Sequence, residues 1–471
     1  MNWKQILSER RKGEYGKPGA GKKSDLRSEF EKDYHRIIGS ASFRRMQDKT
    51  QVFPLDKSDF IRTRLTHSLE VSSLAKSLGQ NVAESIIQKE LDTDFNLQTK
   101  AEICDILQCA GLIHDIGNPP FGHFGEEAIR DWFQKNLPSL EFQGEKLTKV
   151  LDTRMQEDFY HFEGNAQALR LVSKLHFLVN ENGMNLTYAL LSTIIKYPVP
   201  STDINKKSGD IKEKKMGYFY AEQELYEQIG NSCGCTGNRH PLTYLLEAAD
   251  DIAYRTADIE DAFKKGCISY DMLVKELHQQ LDPVYPEGDN YPAGVLERQY
   301  QKALERKDKE PKLYAVQNWM VRMQSYLIYS AGDGFIDNYK EIMEGTYKHD
   351  IFYGTAAEAF VKTLGDIAYR YAFTSVPILK LEVAAHRIIT YLLDTFVPAF
   401  LNYDTENSLG MMEQKMVDLI SHNYKQIYHY YSKDRTEQEK LYLRLLLVTD
   451  YVSGMTDSFA KNMYQELNGI I

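Results

Sequence analysis

Apolar positions along most of this chain recur with a helical rather than an alternating period. After Thr63, the residues Leu65, Leu69, Leu78 and Val82 fall on roughly one side of a helix, which is the pattern of an amphipathic helix. Thr63 itself is a suitable N-cap, because its hydroxyl can accept a hydrogen bond from a free amide of the first turn.

A second helix is predicted through the segment AEICDILQCAGLIHDIG, which begins at residue 101. It must end at Asn118-Pro119-Pro120, because proline lacks an amide hydrogen and clashes with the preceding turn. Further helices are predicted at about 125–136, 163–180, 186–197, 240–265, 312–345, 355–373, 376–402 and 411–468. Extended pieces are expected only at Thr50–Leu55 and around 215–220. The predicted fold class is therefore all-α.

Two polar stretches, 201–217 and 281–294, are predicted to be loops. The second is rich in proline and glycine and is the better boundary between lobes. A chain of 471 residues is long for one compact domain. We therefore expect two parts, an N-terminal core over 1–280 and a C-terminal helical region over 295–471.

Composition and charge exclude several classes of protein. Hydrophobic residues make up 42% and charged residues 26%, as in ordinary globular domains. No apolar run approaches the roughly 18 residues that a membrane span needs, and the N-terminus lacks the apolar segment of a signal peptide. The net charge of −10 argues against a protein that coats nucleic acid. Residues 1–49, however, carry 13 Lys/Arg against 7 Asp/Glu, so either a solvated tail or a lobe that faces phosphates fits this segment.

The five cysteines are odd in number and scattered, so they predict no disulfide framework and indicate a reducing cytoplasm. Cys233 and Cys235 could form half of a metal site. No second pair stands at zinc-ribbon spacing, so a loop with two thiols is the favoured interpretation.

Candidate metal-binding chemistry lies in three segments, RLTHS, GLIHDIG and EAADDIAY, which supply His67, His114, Asp115 and Asp250. Two imidazoles and two carboxylates suit Mn²⁺, Mg²⁺, Co²⁺ or Fe²⁺ better than a closed zinc site. Adjacent helical residues point about 100° apart, so His114 and Asp115 reach one ion only near a helix end. Any one of these residues alone is more simply a core or surface group. The apolar frames favour a metal site, because ionisable groups are rarely buried without partners.

These residues resemble the His…His-Asp…Asp signature of the HD phosphohydrolase superfamily. Longer strings are similar to the dGTP triphosphohydrolase (dGTPase) family, and specifically to its long bacterial branch. The strings are FRRMQDKTQVFPL, RTRLTHSLEV, HDIGNPPFGHFGEEAI, HFEGNAQALRL, LEAADDIAYRTADIEDA and DYVSGMTDSFA. They run in the family's order over roughly 28–460, whereas about 200–238 and 280–310 match no known motif.

The resemblance implies an enzyme that hydrolyses dGTP, with other dNTPs as the wider alternative, to deoxynucleoside and tripolyphosphate. It implies that 1–280 is an HD-type metal-dependent core and that 295–471 completes the pocket and the assembly. It implies the metal ligands His67, His114, Asp115 and Asp250. It also places His123 and Glu126 in catalysis, with the alternative that His123 only caps the following helix. The cofactor implied is a divalent ion, Mn²⁺, Mg²⁺ or Co²⁺, and the assembly implied is a homo-oligomer, a hexamer.

The remaining positions carried over from the family contact the nucleotide. The resemblance places Asn165, Lys196 and Tyr197 against the phosphates and sugar. It places Tyr254 against the 2′ carbon, Asp258 on the 3′ hydroxyl and Gln51 near the sugar. It also places Arg387 near the base, from a neighbouring subunit. Tyr254 and Asp258 follow Asp250 by four and eight residues, so one helix face carries all three. Arg44, Arg45 and Lys49 are further candidate cations for the phosphates.

Two other functions remain open. One is an HD phosphohydrolase of another nucleotide, such as a different dNTP or an alarmone. The other is a nucleotide-sensing or single-strand-binding protein with a silenced site, and the basic N-terminal segment keeps contact with single-stranded nucleic acid open as a secondary role. The complete ligand set together with His123 and Glu126 favours an active enzyme.

Overall fold

The computed structural model describes residues 1–13, 25–51, 62–176, 181–285, 288–374 and 376–470, and most of these residues are helical. The first eleven α-helices are α1 (Trp3–Ile6), α2 (Glu29–Ile38), α3 (Ala41–Arg45), α4 (Arg64–Gln88), α5 (Leu97–Ile113), α6 (His123–Asn136), α7 (Leu147–Val150), α8 (Thr153–Tyr160), α9 (Gly164–Arg170), α10 (Tyr188–Ile194) and α11 (Gln223–Cys233). The others are α12 (Pro241–Lys264), α13 (Tyr270–Leu281), α14 (Pro292–Glu305), α15 (Pro311–Asp337), α16 (Tyr339–Glu344), α17 (Glu358–Ala368), α18 (Val376–Leu401), α19 (Met411–Leu419), α20 (His422–Tyr431), α21 (Glu437–Ser453) and α22 (Asp457–Leu467).

Irregular turns join these helices. The 3-10 turns lie at Met46–Asp48, Ser201–Asp203, Ile211–Glu213 and Tyr220–Glu222, and π-helical turns extend α9 and α17 over Leu171–Leu175 and Tyr369–Phe373. The only sheet in the described ranges is an antiparallel hairpin, β1 (Glu141–Phe142) with β2 (Glu145–Lys146). The all-α prediction is confirmed.

Several predicted boundaries differ from those of the structure. The helix expected to run to Asn118 ends at Ile113. The single helix predicted over 411–468 is four helices, and the extended piece predicted around 215–220 leads into a 3-10 turn. The extended piece predicted at Thr50–Leu55 lies mostly outside the described residues, although Thr50 pairs with Thr63 in an isolated antiparallel bridge.

Three helices position the metal-binding residues. Thr63 caps α4 as predicted, and its side chain and that of Thr66 form a reciprocal capping box. Helices α4 and α5 pack along each other, and α12 packs against both. Pro241 begins α12. Proline is well tolerated there, because an amide hydrogen in the first turn has no acceptor within the helix. The N-terminal part of α4, the C-terminal end of α5 and the middle of α12 therefore meet.

Two buried apolar clusters stabilise the fold. The first lies around α4, α5, α12 and α15, and the second joins α6 and α8 to α18, α21 and α22. Each cluster contains residues from helices that precede 281–294 in the sequence and from helices that follow it. The division into a 1–280 core and a 295–471 region stays a prediction.

Buried polar contacts connect the C-terminal helices to the segments around the site. Arg170 of α9 forms an ion pair with Asp450 of α21 at 2.6 Å and another with Glu222 at 2.8 Å. Asp457 at the start of α22 accepts hydrogen bonds from the amides of Phe121 and Thr50, at 2.8 and 3.0 Å. A buried charge is tolerated only when it is paired and hydrogen-bonded, so these contacts fix the relative positions of segments far apart in sequence.

The buried Lys49 makes a further connection. Its Nζ donates to the carbonyls of Asn118 and Ser453, at 2.6 and 2.9 Å, and burial lowers the pKa of Lys49 to about 7. Its ammonium group is therefore used within the fold. All five cysteines are free thiols. Among the described residues, no helix is both long enough and apolar enough to cross a membrane.

Candidate active site

The four predicted metal ligands come together where α4, α5 and α12 meet. Single ligand atoms of His67, His114 and Asp115 lie within 4.8 Å of one another. Asp250 Oδ1 lies 3.2 Å from His67 Nε2 and 3.3 Å from His114 Nε2. His114 is the C-cap residue of α5, so His114 and Asp115 both follow the last helical residue, Ile113. The two side chains lie near a helix end, as expected, although the helix ends earlier than predicted, and this position explains how adjacent residues point to one place.

The arrangement of these side chains fits a divalent ion. His114 Nδ1 lies 2.8 Å from the carbonyl of Gly111, which orients the ring and leaves Nε2 facing the cluster. That buried Nε2 makes no hydrogen bond among the described residues. A buried polar atom without a partner indicates a missing ligand. A mixed set of imidazole nitrogens and carboxylate oxygens can hold Mn²⁺, Mg²⁺ or Co²⁺.

Two cations lie next to the carboxylates of this cluster. Arg64 pairs with Asp115, and Lys196 Nζ lies 2.9 Å from Asp250 Oδ2. Burial alone would raise the pKa of Asp250, but Lys196 and His114 outweigh burial and hold it well below its usual value. Asp250 is therefore a carboxylate at neutral pH.

His123 and Glu126 form a hydrogen-bonded pair next to Arg64, the partner of Asp115. A Cβ on Gly122, the residue before His123, would lie 2.4 Å from Arg64 Nη2. His123 begins α6, and its Nδ1 lies 3.0 Å from Glu126 Oε2 one turn later. Glu126 is 2% exposed, whereas the His123 side chain is 73% exposed. The hydrogen bond and charge of Glu126 raise the pKa of His123. Burial would raise the pKa of Glu126, but the hydrogen bond and charge of His123 outweigh burial and lower it to about 2.

Gly164 fixes the carboxylate of this pair. Its amide donates to Glu126 Oε1 at 2.7 Å. A Cβ at this position would lie 2.1 Å from Asn118 Oδ1 and 2.6 Å from Glu126 Oε1, so only glycine permits this approach. One oxygen of Glu126 is thus held by the start of α9, and the other is free to orient His123.

The segment around Lys215 contacts the chain near two of the residues that were predicted to contact phosphate, Asn165 and Tyr197. Asn165 Nδ2 donates to Glu163 Oε1 at 2.8 Å, and Lys215 Nζ donates to the same oxygen at 3.0 Å. Tyr197 follows Lys196 and is partly buried. A Cβ on Gly217 would lie 1.7 Å from the carbonyl of Tyr197, so a glycine there lets the Lys215 segment pack against Tyr197.

The residues predicted to contact the sugar include buried polar groups without a well-aligned hydrogen bond. Asp258 is 1% exposed, and burial raises its pKa well above the usual value. Neither carboxylate oxygen of Asp258, nor Oε1 of Gln51, makes a well-aligned hydrogen bond among the residues that the structure describes, although the Tyr254 side chain lies close enough to Asp258 to act on its pKa. The Tyr254 ring stacks on Phe373, with ring centroids 6.1 Å apart. Because these polar atoms are available, a ligand with hydroxyl groups would satisfy them.

Arg387 is not placed at the site by any contact. It is exposed on α18 and has no hydrogen bond or ion pair within the described ranges. The structure therefore adds no support to its predicted role at the base.

Two residues of this region were not predicted as site residues. Arg64 stands three positions before His67, a spacing that places both on one helix face, so the sequence held a usable signal. Lys215 is one of several lysines in a polar loop, and its contact with Glu163 depends on a close approach that the sequence does not reveal.

One family model and several known proteins are similar to this chain. The HD domain family model matches residues 64–197. The chain is 46% identical to the deoxyguanosinetriphosphate triphosphohydrolase-like protein of Listeria monocytogenes over the full length of both. It is 33% identical to the probable deoxyguanosinetriphosphate triphosphohydrolase of Pseudomonas aeruginosa, over 100% of this chain and 99% of that protein. It is 32% identical to the deoxyguanosinetriphosphate triphosphohydrolase of Yersinia enterocolitica, over 99% of each.

The chain belongs to the deoxyguanosinetriphosphate triphosphohydrolase family. As a member of this family it is a hydrolase of phosphoric ester bonds with a nucleotide substrate. The matched HD segment contains His67, His114 and Asp115 but ends before Asp250. In this triphosphohydrolase family member, α12 supplies that carboxylate together with Tyr254 and Asp258.

Proposed function

We propose that this chain hydrolyses dGTP to deoxyguanosine and tripolyphosphate with a divalent ion, Mn²⁺, Mg²⁺ or Co²⁺. The proposal depends on one arrangement of side chains. A buried cluster of His67, His114, Asp115 and Asp250 lies beside the exposed His123, which Glu126 orients. A closed structural metal site would not need an accessible imidazole on its rim.

In the proposed reaction, water attacks the α-phosphorus and the bond from that phosphorus to the sugar 5′ oxygen breaks. A divalent ion held by the four ligands would polarise an α-phosphate oxygen and acidify the attacking water. His123 donates a proton to the leaving 5′ oxygen. Glu126 supports this role, because its hydrogen bond and charge raise the pKa of His123 and so favour the protonated imidazole that a general acid needs.

The phosphates are proposed to lie along Lys196, Tyr197, Asn165 and Lys215. Three negatively charged phosphates need cations, and charge-assisted hydrogen bonds are the stronger kind. Lys196 already contacts Asp250, and Lys215 contacts Glu163. Both ammonium groups can therefore exchange part of a carboxylate contact for a phosphate oxygen.

The sugar is proposed to lie between Tyr254 and Asp258. The Tyr254 ring packs against the 2′ carbon and excludes a hydroxyl by its bulk, and Asp258 bonds the 3′ hydroxyl. Gln51 approaches the same sugar. The oxygens of Asp258 and Gln51 that lack a well-aligned hydrogen bond support this assignment.

Product analysis tests the reaction. Each of the four dNTPs is incubated with the purified chain and Mn²⁺, Mg²⁺ or Co²⁺, and the phosphate products are separated by ion exchange. Tripolyphosphate from dGTP is expected. Pyrophosphate or inorganic phosphate would indicate cleavage at another bond. Turnover of a different dNTP in preference to dGTP would favour the alternative HD phosphohydrolase.

Sugar selection gives a prediction about Tyr254. We expect Tyr254→Ala to admit GTP and to narrow the dGTP/GTP ratio of kcat/KM by at least about tenfold, which corresponds to about 1.4 kcal/mol of discrimination. Tyr254→Phe is the matched control, because it keeps the ring and should keep the ratio. Asp258→Asn should weaken both nucleotides alike, since each carries a 3′ hydroxyl. A lower Tm with an unchanged ratio would make Tyr254 a packing residue only.

The His123–Glu126 pair gives a prediction about pH. If protonated His123 is the acid, kcat falls as pH rises through its raised pKa. Glu126→Gln removes the charge that raises this pKa, so we expect the alkaline limb of the kcat profile to move to lower pH. Each unit of pKa lost should lower kcat about tenfold on that limb. Glu127→Gln, at an exposed neighbouring position, should leave the profile in place, and a profile unmoved by Glu126→Gln would contradict the pairing.

The proposed assembly is a homo-oligomer, with the hexamer as its form. Base contact by Arg387 from a neighbouring subunit, contact with single-stranded nucleic acid and a location in the cytoplasm stay predictions.

A further inference from the structure

Helix α15 has one side that nothing in the described chain covers. Its inner side packs against α4 and α12, and Gln324 Nε2 donates to Thr256 Oγ1 of α12 at 2.9 Å. Its outer side, with α14, borders an open groove of about 1120 Å³. Large exposed side chains mark this surface, including Val321 at 64% and Tyr329 at 67% exposure.

The outer face of α15 carries opposite charges at its two ends. Arg322, Tyr329 and Asp333 are seven and eleven residues apart along the helix, close to two and three full turns, so they share one face. Tyr326 lies beside Tyr329 on the same face, and all four line the groove. Neither Arg322 nor Asp333 has an ion-pair partner among the described residues, and both are exposed.

This order of charges is self-complementary. If a second copy of α15 ran antiparallel across the first, Arg322 of each copy would face Asp333 of the other. Tyr326 and Tyr329 would then meet near the two-fold axis. A two-fold interface pairs residue i with residue j in both directions, and arginine and tyrosine are enriched at the centres of interfaces. A single-stranded nucleic acid fits this face less well, because the groove has no net positive charge. Its lining includes the carboxylates Asp289, Asp333 and Asp337 beside the cations Arg298, Lys302 and Arg322.

We propose that the outer face of α15 is the contact between two copies of this chain, with the two helices antiparallel about a two-fold axis. Assemblies with dihedral symmetry contain two-fold axes, so they can accommodate such a contact. It would also brace α12, which packs on the inner side of α15 and carries Asp250, Tyr254 and Asp258. The contact concerns the assembly and does not depend on which nucleotide is hydrolysed.

A charge-swap experiment tests the pairing. The full-length chain, Arg322→Asp, Asp333→Arg and the double variant are compared by sedimentation velocity over a dilution series. Each single variant places like charges opposite each other twice, so we expect its dissociation constant to rise at least about tenfold. The double variant restores opposite charges in both pairs and should recover the wild-type mass. Lys362→Asp on α17, an exposed lysine outside the groove, controls for net charge and should change nothing.

Each of the other outcomes would overturn the proposal. These are a monomeric wild-type chain, single variants that keep the wild-type mass, and a double variant that does not recover. Circular dichroism of each variant shows whether a change in mass reflects unfolding. Fluorescence anisotropy with a labelled single-stranded oligonucleotide tests whether the groove binds nucleic acid. Binding that is lost in Arg322→Asp at unchanged mass would assign the groove to nucleic acid instead.

Discussion

We expect His114→Ala to purify as a folded protein that holds no divalent ion and turns over dGTP at least about 10³-fold more slowly. The reason is geometric. His114 Nε2 faces Asp250 Oδ1 at 3.3 Å without a hydrogen bond, so the substitution removes an atom that the structure leaves available for an ion. An ion at this position supplies several kcal/mol to the transition state. Metal content by mass spectrometry and turnover by product release are the measurements.

The matched control for this prediction is His161→Ala, because His161 is a partly exposed histidine that pairs with Glu157. It should keep both metal and turnover. Asp115→Ala should behave as His114→Ala does. Far-ultraviolet circular dichroism should show the same helical content in all three variants, because His114 lies at the end of α5 rather than within it. Full metal occupancy and turnover in purified His114→Ala would remove this residue from the ligand set.

The second large effect is expected at His123. His123→Ala should still bind the metal and dGTP, because the four ligands are other residues, but its kcat should fall by about 10²–10⁴. The side chain is 73% exposed, so its removal should change stability by less than about 0.5 kcal/mol. Single-turnover kinetics with a separate dGTP-binding measurement distinguish a loss of chemistry from a loss of affinity.

His123→Gln completes this test. Glutamine can occupy the start of α6 and donate a hydrogen bond, yet it cannot transfer a proton in this pH range. We therefore expect it to be as slow as His123→Ala. If metal were lost from either variant, His123 would be a ligand or a structural residue. Recovery of kcat in His123→Gln would assign the residue to hydrogen bonding alone.

The helices could be predicted from the sequence because their signals are local. Thr63 caps α4 through a hydroxyl that the sequence displays, and buried residues recur at helical spacing along the helix. Leu69, which the apolar pattern placed on the buried side, is exposed. The end of α5 was placed too late, since the prolines mark only where a helix must have stopped, while the chain leaves the helix at His114 to form the site. In the region 411–468, the breaks between helices lie at short polar turns that an amphipathic pattern alone does not reveal.

The candidate site was predictable where its residues stand in distinctive frames. His114, Asp115 and Asp250 lie in apolar segments, where an ionisable group needs a partner. His67 lies in the polar string RTRLTHSLEV, which resembles the family. Lys215 lies among lysines that differ from it only in where the backbone runs, so its approach to Glu163 depends on tertiary structure. The role of Arg387 was inferred from resemblance alone, and no contact in the described chain adds to it.

Asp457 bears on when a newly made chain becomes active. Its carboxylate holds the amides of Phe121 and Thr50, and Lys49 joins Asn118 to Ser453. A nascent chain on the ribosome therefore carries every proposed ligand hundreds of residues before the groups that fix the loop between α5 and α6 exist. Domains generally fold as units during synthesis, and here that unit is complete only with the last helices. A truncated translation product would thus lack a fixed catalytic loop. We therefore expect an incomplete chain not to hydrolyse nucleotide.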